Sequence, residues 1–285
     1  MKRQPDDWRR MLFANAVRGK DGEINLALTS LLYALDRYPE LDLSLQMSVL
    51  DSLAEGARPH VPRSQGAEAS LRALAWYLHG QHGFNGSDRA YASPAGCFLN
   101  EALEQRTGLP ITLSVIYLEV GWRLGLPVQG VGMPGHFLIK HPGESGDPAQ
   151  DLYCDPFHKG QLLTAGDCRD LLENRLGLSV AFRPEYLAAT ERRSILYRML
   201  NNLKAMYLRS RSLQDALWAT DRMLIVSPQS AQDMRDRGLL HYATGNFPRA
   251  TTDFLSYLEM LPGAPDIPVI RRQLAAAVER SGLLN

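Results

Sequence analysis

The stretch GVGMPGHFLIKHP, residues 130–142, places one histidine, His136, directly before an apolar run. A second apolar run, LYCDPF, ends near an aspartate, Asp155. If the two runs are paired strands, the carboxylate can accept a hydrogen bond from one imidazole nitrogen. That contact fixes the ring tautomer and leaves the other nitrogen as a base. His136 and Asp155 would then supply two members of a nucleophilic triad. The third member, a thiol or hydroxyl, belongs at the start of a packed helix, where the helix dipole favours a developing anion.

Each of these residues also has a plainer reading. His136 can be a structural histidine held by Asp155 to tie two strands together, since buried polar pairs persist without catalysis. A metal reading would add His141 and His158 to the pair. His141 is five residues from His136 and therefore on the other strand face, so the set is not expected to converge, and no metal or cofactor is predicted. Three cysteines, Cys97, Cys154 and Cys168, lack C-x-x-C spacing, which fits a reducing cytosol and argues against a disulfide framework. Cys97 lies near the start of GCFLNEALEQRTG, where a thiol can be activated, although cysteine more often serves as a small buried hydrophobe. Thr164 and Asp167, flanking TAGDCRDLL, read as a helix-capping pair.

The elements around these residues change character along the chain. EINLALTSLLYALDRYPELD and LSLQMSVLDSLAEGARPHV carry apolar residues near a 3.6 period, so residues 1–88 form a helical segment. LPITLSVIYLEVGWRLG reads as a helix buried nearly all round and closed by Gly125. Four short strand-like runs follow, PVQGVGM, HFLIKH, DLYCDPF and GQLLT, and predict a small antiparallel sheet over an α+β region spanning 89–183.

Residues 184–285 return to helix with a repeat. Pro228 and Pro262 close two segments 34 residues apart, and at that offset Leu213 matches Phe247, Ser212 matches Asn246, Ala216 matches Ala250 and Leu224 matches Leu258. Thirty-four residues with small side chains at helix crossings is the tetratricopeptide (TPR) period. Gly238 and Ala250 fall where two helices of one repeat must approach closely.

HGFNGS, the run from GCFLNEALEQRTG to GHFLIK, DPF and the C-terminal repeats together resemble the SirB family of bacterial proteins. The resemblance implies a transglutaminase-like (papain-like) α+β core followed by TPR-like helices, with His136 and Asp155 matching the core's catalytic pair. Active relatives of that core carry a cysteine at the start of the helix ending here in RLGLP, 123–127. Counting back places that position within PITLS, 110–114, which holds only the hydroxyls of Thr112 and Ser114. Cys97, one helix earlier, is the remaining candidate nucleophile. Asn100 and Gly135 are candidate cleft-lining residues.

Two functions follow. In the first, a non-catalytic core, a pseudoenzyme, joins TPR-like helices that hold a protein or peptide partner. In the second, His136 is the base and Asp155 the orienting acid of an acyl-transfer or amide-hydrolysing enzyme with Thr112, Ser114 or Cys97 as nucleophile. With 31 basic and 31 acidic residues in 285 and no basic stripe, nucleic acid is disfavoured. No apolar run approaches the ~18 residues of a membrane span and the N-terminus lacks a signal-peptide core, which predicts a cytoplasmic protein.

Overall fold

A computed structural model describes residues 6–61, 66–143, 150–176 and 181–283. Backbone contacts divide the chain into two compact units, Met1–Met199 and Leu200–Asn285.

The first unit opens with helices α1 (Asp6–Ala16), α2 (Leu26–Ala34), α3 (Leu43–Ala57) and α4 (Gly66–Ala75). Side-chain caps start two of them: Asn25 accepts from Leu28 N at 2.9 Å and Asp42 from Leu45 N at 3.0 Å, each satisfying an otherwise orphaned helix N–H. A π-helical turn, Trp76–Gln81, continues α4. Short strands β1 (Asn85–Gly86) and β2 (Thr107–Gly108) pair in parallel around helix α5 (Leu99–Gln105). Helix α6 (Pro110–Arg123) begins with proline at its first position and is buried from Pro110 to Gly121, as its unbroken apolar run requires.

The sheet follows: β3 (Gln129–Val131), β4 (Leu138–His141), β5 (Leu152–Asp155) and β6 (Gln161–Leu163). Each matches one of the four strand-like runs. Helix α7 (Ala165–Leu176) comes next, and its start carries the expected reciprocal cap: Thr164 N donates to Asp167 Oδ2 at 2.7 Å, while Asp167 N donates to Thr164 Oγ1 at 3.2 Å. A further strand, β7 (Ala189–Thr190), completes the order β6-β5-β4-β3-β7, antiparallel throughout. Two residues are too few to show alternation in sequence, so β7 was invisible there. Val131, Met133, Leu138, Tyr153 and Leu163 build a core with Cys168 and Leu172 of α7 and with Leu187. Ile139 and Cys154, paired across β4 and β5, face the other way. Lys140, nearly buried, pairs with Asp151 at 2.6 Å and donates to Leu187 O at 3.2 Å, which anchors the far end of the β4–β5 pair.

The division between units falls inside helix α8 (Arg192–Arg209). The second unit holds helices α9 (Leu213–Val226), α10 (Ala231–Ala243), α11 (Phe247–Met260) and α12 (Ile267–Leu283). α9 and α11 start and stop 34 residues apart, at 213 and 247 and at 226 and 260. Ala216 and Ala250 are fully buried. A methyl group at Gly238 would sit 2.8 Å from the Phe254 ring, so only glycine permits this approach of α10 to α11. Acidic and basic residues interleaved in sequence pair with one another: Arg237 clasps Asp253 through two bonds of 2.7 and 2.9 Å, and Lys204 bridges Asp233 and Asp236.

Candidate functional site

His136 sits in the turn before β4 rather than on the strand. Gly135 takes φ +72°, a left-handed conformation suited to glycine, and His136 N donates to Met133 O at 3.2 Å. Arg198 of α8 locks this turn, its Nη2 donating to Met133 O and to His136 O, each at 2.6 Å. From α7, Arg175 Nη1 donates to Gly135 O at 3.0 Å. Burial pushes the Arg198 guanidinium below its ordinary range.

Asp155 ends β5, and its two oxygens have separate tasks. Oδ1 accepts from the backbone N–H groups of Phe157 and His158 at 3.0 and 3.2 Å, the arrangement an Asp-Pro turn favours. Oδ2 accepts from His136 Nε2 and from His158 Nδ1, both at 2.7 Å. Burial pushes the Asp155 carboxyl up, yet the hydrogen bonds and charges of His136 and then His158 outweigh it and hold it below the usual carboxylate range. Burial pulls His136 below its ordinary value against the opposing pull of Asp155. At neutral pH the carboxylate is therefore ionised and the His136 ring neutral. An ionised carboxylate only accepts, so both imidazole nitrogens facing it carry the proton. His136 Nδ1 is then a bare lone pair, buried and without a hydrogen-bond partner among the described residues.

The expected pairing of the His136 and Asp155 elements is present, but the two hydroxyl candidates are turned to other partners. Thr112 Oγ1 donates to Gly96 O at 2.9 Å, and Ser114 Oγ lies 3.4 Å from Phe137 O. Both hydroxyls are fully buried and turned to backbone carbonyls. Cys97 closes a short 3-10 turn, Pro94–Cys97, ahead of α5, rather than opening a long helix; it is buried, and its carbonyl accepts from Tyr33 at 3.2 Å. Burial raises the Cys154 thiol far above its usual range and pushes Cys168 up to about 12, so both remain protonated. Asn100 is buried, with its Oδ1 lacking a partner among the described residues.

A cleft of about 300 Å³ opens beside Asp155 and His158 and is bounded by Gln161, Asp167, Asp170 and Asn174. Neither Asn100 nor Gly135 is among its walls. His141 turns away, its Nδ1 against Pro142 O at 2.9 Å, as strand alternation predicts. His158, by contrast, does converge on Asp155, although a set including His141 is not expected to. The D-P-F-H turn was the signal, since a carboxylate capping its own turn draws the third residue back toward it. Arg198 and Arg175 had no local signal, being brought in from distant helices.

The turn-borne histidine, the strand-end carboxylate and the buried helix α6 define a transglutaminase-like core, and the 34-residue helices define TPR repeats. The transglutaminase-like superfamily matches residues 46–201 and the tetratricopeptide repeat matches 203–275, and the chain belongs to the transglutaminase-like superfamily. It is 34% identical over 257 residues to a UPF0162 protein of Xylella fastidiosa (strain 9a5c), covering 89% of this chain and 90% of that protein. It is 23% identical over 236 residues to protein SirB1 of Salmonella typhimurium, covering 83% and 86%, in line with the SirB resemblance. Human F-box only protein 21 is 26% identical over 211 residues, 68% of this chain but 32% of that protein. No solved structure matches the chain.

Proposed function

We propose that the chain is a protein-interaction module in which a transglutaminase-like core without an activated nucleophile accompanies TPR helices that hold a protein or peptide partner. The observation that carries this reading is His136 Nδ1, buried and unpartnered while Thr112 and Ser114 turn to backbone carbonyls. A base acts on a proton within about 2.6–3.2 Å, and neither hydroxyl is hydrogen-bonded to it. TPR helices in general recognise peptides and helices, and the apolar side chains of Leu239 and Leu255 are exposed on α10 and α11. No described helix is long and apolar enough to cross a membrane. The three cysteines, all buried, fit a reducing compartment, which supports a cytoplasmic setting.

The test is quantitative co-purification after crosslinking in cells. Partners recovered with wild type are expected to persist with His136→Ala and to drop at least fivefold with Leu239→Glu combined with Leu255→Glu. Loss with His136→Ala in a protein of unchanged fold and Tm would contradict the reading.

The alternative, acyl transfer or amide hydrolysis with His136 as base, draws support from the same bare nitrogen, which is the tautomer a general base requires. For Thr112 or Ser114 it needs the hydroxyl to leave its carbonyl and turn toward that nitrogen when substrate binds; Cys97 is the remaining candidate nucleophile.

A further inference from the structure

We propose that His136 Nε2, Asp155 Oδ2 and His158 Nδ1 together form a binding site for one divalent transition-metal ion, with zinc the best match. These three atoms lie within 4.8 Å of one another. Two imidazoles and a carboxylate are a donor set suited to zinc, and three protein ligands leave a fourth position open.

The geometry needs little change to admit the ion. Both nitrogens stand 2.7 Å from Oδ2. Around a tetrahedral ion with bonds of about 2.0–2.1 Å, neighbouring donors stand about 3.3 Å apart. A shift of roughly half an ångström in each contact therefore replaces two shared protons by one ion. His136 changes tautomer, its proton moving to Nδ1, and His158 likewise carries its proton on Nε2.

The carboxylate is already held as a single-oxygen ligand. Oδ1 is occupied by the N–H groups of Phe157 and His158, so Oδ2 alone is presented to the rings. Such outer contacts orient metal ligands. Arg198 fixes the His136 backbone. Solvent reaches the trio from the cleft, which Asp155 and His158 line, since His158 has 44% of its side chain exposed and His136 has none. Asp167 and Asp170 on the cleft wall supply negative charge that offsets Arg175, whose charge also bears on His136. His136 Nδ1 has no acceptor among the described residues, which places the site among weaker ones rather than closed structural zinc centres. The competing reading of the same contacts is a hydrogen-bonded hub that ties the 155–160 turn to the sheet.

The test uses the full chain freed of metal by chelator, titrated with ZnCl2 by calorimetry and with Co2+ by visible absorbance. One equivalent is expected, with four-coordinate cobalt bands and a zinc-dependent rise in Tm. His158→Ala, whose side chain is half-exposed, should fold as wild type by circular dichroism, weaken binding at least 100-fold and lose the Tm rise. His141→Ala should bind as wild type. Absence of saturable binding, or equal affinity and Tm rise in His158→Ala, would overturn the site and leave the hydrogen-bonded hub.

Discussion

The TPR helices and the His136–Asp155 centre are built by opposite means. α9 and α11 keep a fixed 34-residue phase, and each position is set by neighbours one helix away, as in any stacked array. The centre instead gathers a turn before β4, the end of β5, the turn after it and an arginine from α8. A change in the repeats is felt as packing. A change in the centre is felt as an unsatisfied charge or hydrogen bond, which costs more per atom in a buried setting.

The sharpest test of that contrast is Asp155→Ala, which strips the acceptor from two imidazoles and two backbone N–H groups. Chemical denaturation should show a loss of about 3–5 kcal/mol, the scale for breaking a buried polar pair. Gly238→Val in the repeats should cost about 1–3 kcal/mol by the same method, the range for overpacking, since its Cβ would meet Phe254 at 2.8 Å. If Gly238→Val proved the more damaging, the contrast would fail.

Smaller effects separate the nucleophile candidates. Thr112→Val removes the bond to Gly96 O and should cost about 1 kcal/mol; the Gly96 carbonyl keeps its bond from Leu109 N at 3.0 Å. His158→Ala, half-exposed, should change metal-free stability by less than about 1 kcal/mol. A larger loss would make His158 a structural hub rather than an accessible ligand.

Acid sensitivity sharpens the comparison further. His136 is depressed by burial, so the unfolded chain takes up its proton first. Its stabilising contribution is full above the unfolded value near 6.5 and is lost as pH falls below it. Asp155, also held low, adds a second loss, present above about pH 4 and vanishing as pH falls through its folded value. Both act in the same direction, so stability falls on acidification. His136→Gln should flatten the slope below about pH 6.5 without abolishing it, because burial also depresses His82 and His241. An unchanged slope would show that His136 binds its proton equally in the folded and unfolded chain, contrary to the burial that depresses it.

The legible part of the molecule was the part written in local pattern. The buried helix α6, the four longer strands of the sheet, the Thr164–Asp167 cap and the repeat phase each rest on residues close in sequence. The His136–Asp155 contact was legible because both residues border apolar runs that pair. What escaped notice depends on distant partners: β7, only two residues long; Arg198, far from the turn it locks; and the Thr112 hydroxyl, whose carbonyl partner lies in another segment. His158 was visible as a residue, but its approach to Asp155 depends on the turn that the aspartate caps, which strand patterns do not describe.

The most direct test of the central claim is intact-mass spectrometry of the folded chain after exposure to fluorophosphonate, iodoacetamide and activated acyl esters across pH 6–9. The arrangement around His136 predicts no adduct on Thr112, Ser114 or Cys97 that depends on this histidine. A stoichiometric adduct at any of the three that disappears in a folded His136→Ala protein would contradict it and establish the core as an enzyme.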